Sequence, residues 1–212
     1  MLKKWKVDQA MSERRKNDII NVRRAQLTKA AYKVVGQKGY YDFTIRDIAK
    51  EAGLSTGLVH YYFKNKEDLL LTLLKEMNSN LKLYLNKALT VLSDPRDKLL
   101  AFCDQAFDLV DKEKAYFHVL IDFWAQMNHN NRIRQANIKL FQSYRDEISA
   151  ILKEGEVSGL FIVKDVKLTS VIIISLIQGT IIQYIIDNGA FDYREYTGRV
   201  KEQIMSIVIK EK

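Results

Sequence analysis

Residues 44–63, TIRDIAKEAGLSTGLVHYYF, have the pattern of two short helices joined by a glycine turn. Thr44 is a good N-cap, and Asp47, three residues later, stands where a capping box has its acidic or amide partner. Gly53 can supply the left-handed residue that ends the first helix, and Ser55 can cap the second. The stretch therefore predicts a helix-turn-helix, a unit that places its second helix in a DNA groove.

The positive charge of the chain is concentrated in and before this stretch. The formal net charge is +8, and residues 1–66 contain 15 Lys and Arg against 6 Asp and Glu, so that the remainder is close to neutral. A basic segment that coincides with a helix-turn-helix is typical of proteins that neutralise phosphates. In the basic leader, residues 1–16, Lys3, Lys4 and Lys6 fit either a solvated tail or an arm in the minor groove.

The composition predicts an all-α fold. Hydrophobic residues make up 47 % of the 212 residues, with only one proline and nine glycines, which favours a packed core and long helices. Cys103 is the single cysteine, so neither a disulfide nor a thiolate metal cluster is expected. Residues 1–10 are charged throughout and lack the apolar run of a secretory signal, so we expect a cytoplasmic protein.

The stretch closely resembles the DNA-binding domain of the TetR family of bacterial regulators. That family has the pattern T-[IV]-R-D-I-A-x-x-A-G-[VL]-S-x-G-x-[LIV]-Y-x-[YH]-F-x-[SN]-K-E-x-L, and the match runs on through residues 64–70, KNKEDLL. It also covers the preceding helix, where residues 27–34 carry an apolar stripe. His60 stands where the family more often has Tyr, and Tyr61 where it often has His. The resemblance implies a three-helix DNA-binding domain over residues 17–65, and an effector-binding and dimerisation domain over 66–212.

The resemblance also implies which residues touch DNA. Thr44 and Arg46, at the start of the first short helix, suit a phosphate. Thr56 and His60 of the recognition helix would lie nearest the base edges. The further candidates for contact with the DNA are Ser55 and Gly57 on the same exposed side, and Tyr61 and Lys66 at positions that commonly hold phosphate.

The C-terminal part reads as further helices, which with the three N-terminal ones make nine, the number that the resemblance implies. Asp94 and Pro95 predict one helix start, and Gly155 with Gly159 the end of another. Residues 171–186 are nearly all apolar, but this run of 16 is broken by polar side chains. It is short for a membrane span, so we expect a buried helix and no membrane partner.

Two further sites follow from the resemblance. Family members sense a small-molecule effector in an apolar cavity, for which the aromatic and soft candidates are Phe102, Phe117, Trp124, Met127 and Tyr144. They dimerise through the last two helices, and a dimer would read a palindromic operator. The candidate interface residues are Ile172, Leu176, Thr180, Tyr184, Ile204, Ile207 and Val208, unless several of them face their own core. Residues 123–126, FWAQ, and 155–161, GEVSGLF, loosely resemble the subgroup of the choline-responsive repressor.

These features favour a regulator, most often a repressor in this family, released from DNA when an effector moves the linker helix that begins near Lys66. An enzyme is disfavoured, because His60, His118 and His129 are scattered and the glycines form no phosphate loop. We expect neither a metal nor a cofactor. The alternative is a non-regulatory architectural DNA-binding protein, against which the large aromatic C-terminal part argues.

Overall fold

The computed structural model describes the backbone of residues 2–112 and 114–209, and the side chains of residues 18–84, 89–112 and 117–209. Within these residues it contains nine helices and no strand, as the sequence predicts. The helices are α1 Leu2–Asp42, α2 Ile45–Ala52, α3 Thr56–Tyr62, α4 Lys66–Leu89, α5 Pro95–Lys112, α6 Lys114–Ala125, α7 Asn131–Val157, α8 Val166–Ile186 and α9 Tyr193–Val208.

One of two compact units contains α1, α2, α3 and the start of α4, together with Ala115–Arg134. Its α1 packs against both α2 and α3. The core of this unit is apolar and includes Leu27, Ala31, Ile48, Val59, Phe63, Leu69, Leu70, Leu74 and Phe123. The α1 helix begins at Leu2, so the backbone of the basic leader is part of the helix that leads into the core.

The other unit comprises Asn78–Lys114 and Gln135–Lys212. Within it α8 packs against α5 and α9. Its core includes Leu99, Cys103, Ile148, Leu152, Ile173, Ile204 and Val208. The domain boundaries at residues 16 and 65 that the sequence suggests stay predictions.

The end of α7 lies between Gly155 and Gly159, the two glycines that were predicted to end it. The helix continues to Val157, and Gly159 takes the left-handed conformation, with φ 71°, that ends it. Gly155 is buried inside the helix. A glycine is needed there because a Cβ would lie 1.9 Å from the ring of Phe161. The small residue makes room for that ring, which returns over the helix after the turn.

Candidate nucleic-acid interface

The start of α2 is held by local hydrogen bonds. The Thr44 hydroxyl accepts from the Asp47 N–H at 3.2 Å, and the Asp47 carboxylate accepts from the Thr44 N–H at 2.8 Å, which is the predicted capping box. Lys38 adds an ion pair to Asp47 at 2.8 Å. Its hydrogen bond, followed by those from Thr44, lowers the pKa of Asp47 to about 2. The start of α2 is therefore fixed, while Thr44 and Arg46 stay exposed.

The turn after α2 has the predicted geometry. Gly53 is left-handed, with φ 66°, and its N–H bonds back to the carbonyls of Ala49 and Lys50. A contact absent from the sequence pattern supports it, because the Gln26 side chain of α1 donates to the Ala52 carbonyl at 2.9 Å. The turn is thus tied to the core helix as well as to its own helix.

The short helix α3 buries one side and exposes the other. Ser55 caps it by accepting from the Leu58 N–H at 3.2 Å. Val59 and the following Phe63 are buried in the core, and Tyr62 is half-buried. All five candidates for DNA contact on and before this helix are exposed: Ser55, Thr56, Gly57, His60 and Tyr61.

Gly57 has space around it. A Cβ built there would find only the Ser55 hydroxyl oxygen within 4 Å, at 3.9 Å. The fold of the chain therefore does not require a glycine at this position. A glycine on the exposed face is explained if another molecule approaches the backbone closely.

Lys66 has its ammonium turned toward the protein. The ammonium donates to the carbonyls of Phe43 at 3.1 Å and Tyr41 at 3.4 Å, and it lies 3.9 Å from the Phe43 ring centroid. Burial lowers the pKa of Lys66. These bonds join the first turn of α4 to residues 41–43, where α1 ends and the chain leads into α2.

Arg24 of α1 is a structural contributor that the motif does not include. Its guanidinium lies 4.8 Å from the Phe63 ring centroid and donates to the Tyr62 carbonyl at 3.3 Å. It thereby holds the end of α3 against α1. The only sequence signal for this role is an arginine one turn before the apolar stripe.

The five predicted pocket residues are divided between the two units. Phe117, Trp124 and Met127 lie in the first unit, whereas Phe102 and Tyr144 lie in the second. Phe102 and Phe117 are buried and the other three are half-buried. Their grouping around an effector stays a prediction.

The predicted dimer residues differ in exposure. Thr180, Ile204 and Val208 are buried in the core of their own unit, which is the alternative that the sequence left open. Ile172 is exposed. Leu176, Tyr184 and Ile207 are half-buried.

The helix α8 leaves a large apolar face uncovered. It is long and apolar enough to cross a membrane by length and composition alone, and 33 % of its most apolar stretch is buried. Exposed residues recur at helical spacing along one face. They are Leu168, Val171, Ile172, Ser175, Gln183 and Ile186, four of which are apolar.

The chemistry of the described residues does not suggest a metal centre. No group of three or more His, Cys, Asp and Glu lies close enough together among them to hold an ion. Cys103 is buried, and this burial raises the pKa of its thiol to about 12. That thiol is therefore neutral at physiological pH.

A capped helix, a left-handed glycine turn and a second capped helix with an exposed face of small polar residues define a helix-turn-helix DNA-binding protein. Comparison with known proteins agrees. The family described as "Bacterial regulatory proteins, tetR family" matches residues 27–73, and the "BetI-type transcriptional repressor, C-terminal" family matches residues 95–208. The chain therefore belongs to the TetR family of bacterial regulatory proteins, with a C-terminal part of the BetI type.

Individual relatives support this assignment. The HTH-type transcriptional regulator BetI of Serratia proteamaculans is 33 % identical, over 64 % of this chain and 71 % of its own. The fatty acid metabolism regulator protein of Bacillus subtilis is 26 % identical, over 85 % of this chain and 93 % of its own. The chain is a DNA-binding transcriptional regulator and not an enzyme.

Solved structures share the fold. A Saccharomonospora viridis structure in complex with choline has a TM-score of 0.83 at 20 % identity, covering 90 % of this chain and 100 % of its own. The transcriptional regulator FadR from Bacillus subtilis, in complex with stearoyl-CoA, has a TM-score of 0.75 at 26 % identity, covering 86 % and 98 %.

Proposed function

We propose that the chain is a repressor that binds a palindromic operator as a homodimer in the cytoplasm and is released by a small-molecule effector. The exposed face of α3 carries the DNA-reading part of this proposal. Thr56 and His60 are assigned to the base edges, and the space around Gly57 lets the backbone come close to the duplex. Thr44, Arg46, Ser55 and Tyr61, all exposed, are assigned to the phosphates and the groove wall.

For Lys66 two roles compete. The sequence assigns it to a phosphate, whereas its ammonium donates to the carbonyls of Tyr41 and Phe43. A phosphate contact would require these bonds to be given up. We therefore propose that Lys66 supports the DNA-binding domain from within, and we test this below against its exposed neighbour Lys64.

The uncovered face of α8 supports the dimer. An apolar face that its own chain covers only in part is stable in water when a second apolar surface covers it. A second copy brings the same face by twofold symmetry, and it would also supply the second recognition helix that a palindrome needs. Leu168, Val171 and Ile172 form the proposed contact, flanked by Leu176, Tyr184 and Ile207.

The effector is proposed to be mainly apolar, with at least one hydrogen-bond donor. The fully buried polar side chains among the described residues are amides and hydroxyls, and none carries a charge. Two buried acceptors of the second unit, Asn78 Oδ1 and Gln105 Oε1, have no hydrogen-bond partner in the part of the chain that the structure describes. A donor from a ligand would satisfy them. The pantetheine amides of an acyl-CoA supply such N–H donors beside an apolar acyl chain, so we propose an acyl-CoA. A quaternary ammonium would instead depend on the ring faces of the aromatic pocket candidates.

Thermal unfolding of the protein with stearoyl-CoA and, separately, with choline tests the effector class. We expect stearoyl-CoA to raise Tm and choline to leave it unchanged, since a ligand that binds only the folded state stabilises it. A rise with choline alone would contradict the proposed chemistry.

The DNA-binding proposal is tested by recovering genomic fragments bound by the purified protein at physiological salt and searching them for a shared motif. We expect one inverted repeat, found upstream of few genes. Recovery of fragments without any common motif would contradict sequence-specific repression and would favour an architectural role.

A further inference from the structure

Residues 40–43, which end α1 and lead into α2, follow a break inside α1. Gly39 has φ 79° and ψ 169°, the only non-helical conformation recorded inside this helix. A reversal of this kind takes the following N–H, that of Tyr40, out of the helical hydrogen-bond pattern. Residues 40–43 then lead directly to Thr44, the N-cap of α2. The conformation of this short segment thus sets the direction in which α2 and α3 leave α1.

Asp122 of α6 and Gln126, the residue that follows this helix, hold the segment. Asp122 Oδ2 accepts the Tyr40 N–H at 2.7 Å, which gives the freed donor a charged partner. One turn later Gln126 Nε2 donates to the Tyr41 hydroxyl at 2.5 Å, and Gln126 is itself buried. Between them, the buried Phe123 packs edge-on against the Tyr40 ring, with 6.0 Å between the ring centroids. We call Asp122 and Gln126 the α6 clamp.

The helix-turn-helix closes without the clamp. The ends of α2 and α3 are satisfied by Thr44, Asp47, Gly53 and Ser55, all within the motif. The clamp instead bonds residues 82 and 85 positions distant, through one main-chain N–H and one phenol. Its loss would leave both helices formed but would free the segment that orients them.

We infer that Asp122 and Gln126 are positioning residues, through which α6 sets the orientation of the helix-turn-helix for operator binding. The inference rests on the proposed function, because Phe117 and Trp124 of the same helix are the predicted effector contacts. An effector that displaces α6 would then act on the α1–α2 connection directly. This route adds to the linker helix α4, which holds the same connection through Lys66.

Coupling is reciprocal, so DNA can replace the unidentified effector as the probe. If the clamp connects α6 to the DNA-reading helices, binding of the selected operator duplex must slow amide hydrogen exchange in α6 as well as in α2 and α3. The experiment compares wild-type protein with the double variant Asp122→Ala/Gln126→Ala, each free and saturated with duplex.

The chain offers a matched control. Asp146→Ala/Gln142→Ala removes the same two residue types, also four positions apart, from exposed sites on α7. A third variant, Asp122→Asn, retains an oxygen acceptor for the Tyr40 N–H but loses the charge. It is the variant to use if the double substitution reduces the folded population.

We expect DNA to slow exchange in α6 of the wild type and of the control by about five-fold or more. In the clamp variant we expect this protection of α6 to be lost and the operator affinity to fall by about three- to thirty-fold. Asp122→Asn should show α6 protection and operator affinity between those of the wild type and the clamp variant. A purely structural role of the clamp would lower Tm without removing the response of α6 to DNA.

Three outcomes would overturn the inference. The first is a clamp variant whose α6 protection and operator affinity both match those of the wild type within two-fold. Another is an equal loss in the control variant. The third is DNA protection of α2 and α3 in the wild type with no change in α6. If the duplex protected neither α2 nor α3, the proposed function itself would fail, and the inference with it.

Discussion

The helices α3 and α8 leave opposite kinds of surface uncovered. In α3, with 7 residues, Val59 alone is fully buried, and the exposed side carries small polar groups and an imidazole. In α8, with 21 residues, the exposed side is mainly apolar, with Leu168, Val171 and Ile172 exposed in its first two turns. Both helices therefore have a face that their own chain does not cover. The chemistry of each face indicates its partner, the polar one a nucleic acid and the apolar one a second copy of the same helix.

The largest effect is expected when the apolar face is charged. Val171→Asp would place carboxylates from both copies within a buried apolar contact, so the dimer should dissociate. Loss of two-site binding should lower operator affinity about a hundred-fold or more. Sedimentation equilibrium and operator binding measure the two effects.

Val157→Asp is the matched control for this prediction, because Val157 is 91 % exposed at the end of α7. It should stay dimeric and bind DNA normally. If Val171→Asp remained a dimer with unchanged affinity, the proposed face on α8 would be wrong.

The next effect concerns the polar face and has opposite signs for stability and binding. Gly57→Ala places a methyl group where the chain leaves space, so it should raise the free energy of unfolding by about 0.5–1 kcal/mol. The same methyl group should hinder the close approach of DNA and lower operator affinity about ten-fold. Chemical denaturation tests the increase in stability, and binding titrations test the decrease in operator affinity. Unchanged DNA affinity would show that the backbone does not approach the duplex at this point.

How far each face could be predicted depends on the distance between the residues that build it. The caps at Thr44, Asp47, Gly53 and Ser55 act within a few residues, and all four were predictable from the sequence. In α8 nearly every position is apolar, so composition could not tell that Thr180 faces its own core while Ile172 is exposed.

Contacts between distant segments were not predictable. The bond from Tyr40 to Asp122 spans 82 positions and depends on the break at Gly39. The inward direction of Lys66 also depends on the tertiary structure, since the pattern K-E-D at a helix start is typical of a surface. The need for a glycine at position 155 is also tertiary, because the Phe161 ring that packs over it comes from beyond the end of α7.

A smaller effect separates the two lysines that follow α3. Lys66→Ala removes bonds to two carbonyls and should lower the free energy of unfolding by about 1–2 kcal/mol. Lys64 is exposed, so Lys64→Ala should leave stability unchanged. Denaturation of both variants, with the salt dependence of DNA binding, distinguishes the roles. Suppose that Lys66→Ala kept its stability and that its DNA affinity fell less steeply with salt concentration than that of the wild type. Lys66 would then be assigned to a phosphate.

The smallest effect is a dependence on pH at the start of α2. The folded pKa of Asp47, about 2, lies below its ordinary value of 3.8, so its contribution is fully present above pH 4. As the pH falls from about 4 to about 2, wild-type protein should lose stability more steeply than Asp47→Asn, whose side chain does not titrate. Unfolding of both proteins across this range tests the prediction. Parallel curves would show that the capping box and Lys38 do not hold the carboxylate in its charged form.

The central claim, that two α3 helices joined through α8 read one site, is tested most directly by changing the spacing of that site. Affinity is measured for the selected inverted repeat and for the same duplex with half a helical turn, about five base pairs, inserted at its centre. We predict that the insertion lowers affinity to that of random duplex, because the second half-site then faces the opposite side of the DNA. Equal affinity for both duplexes would contradict the claim and would show that each chain binds DNA alone.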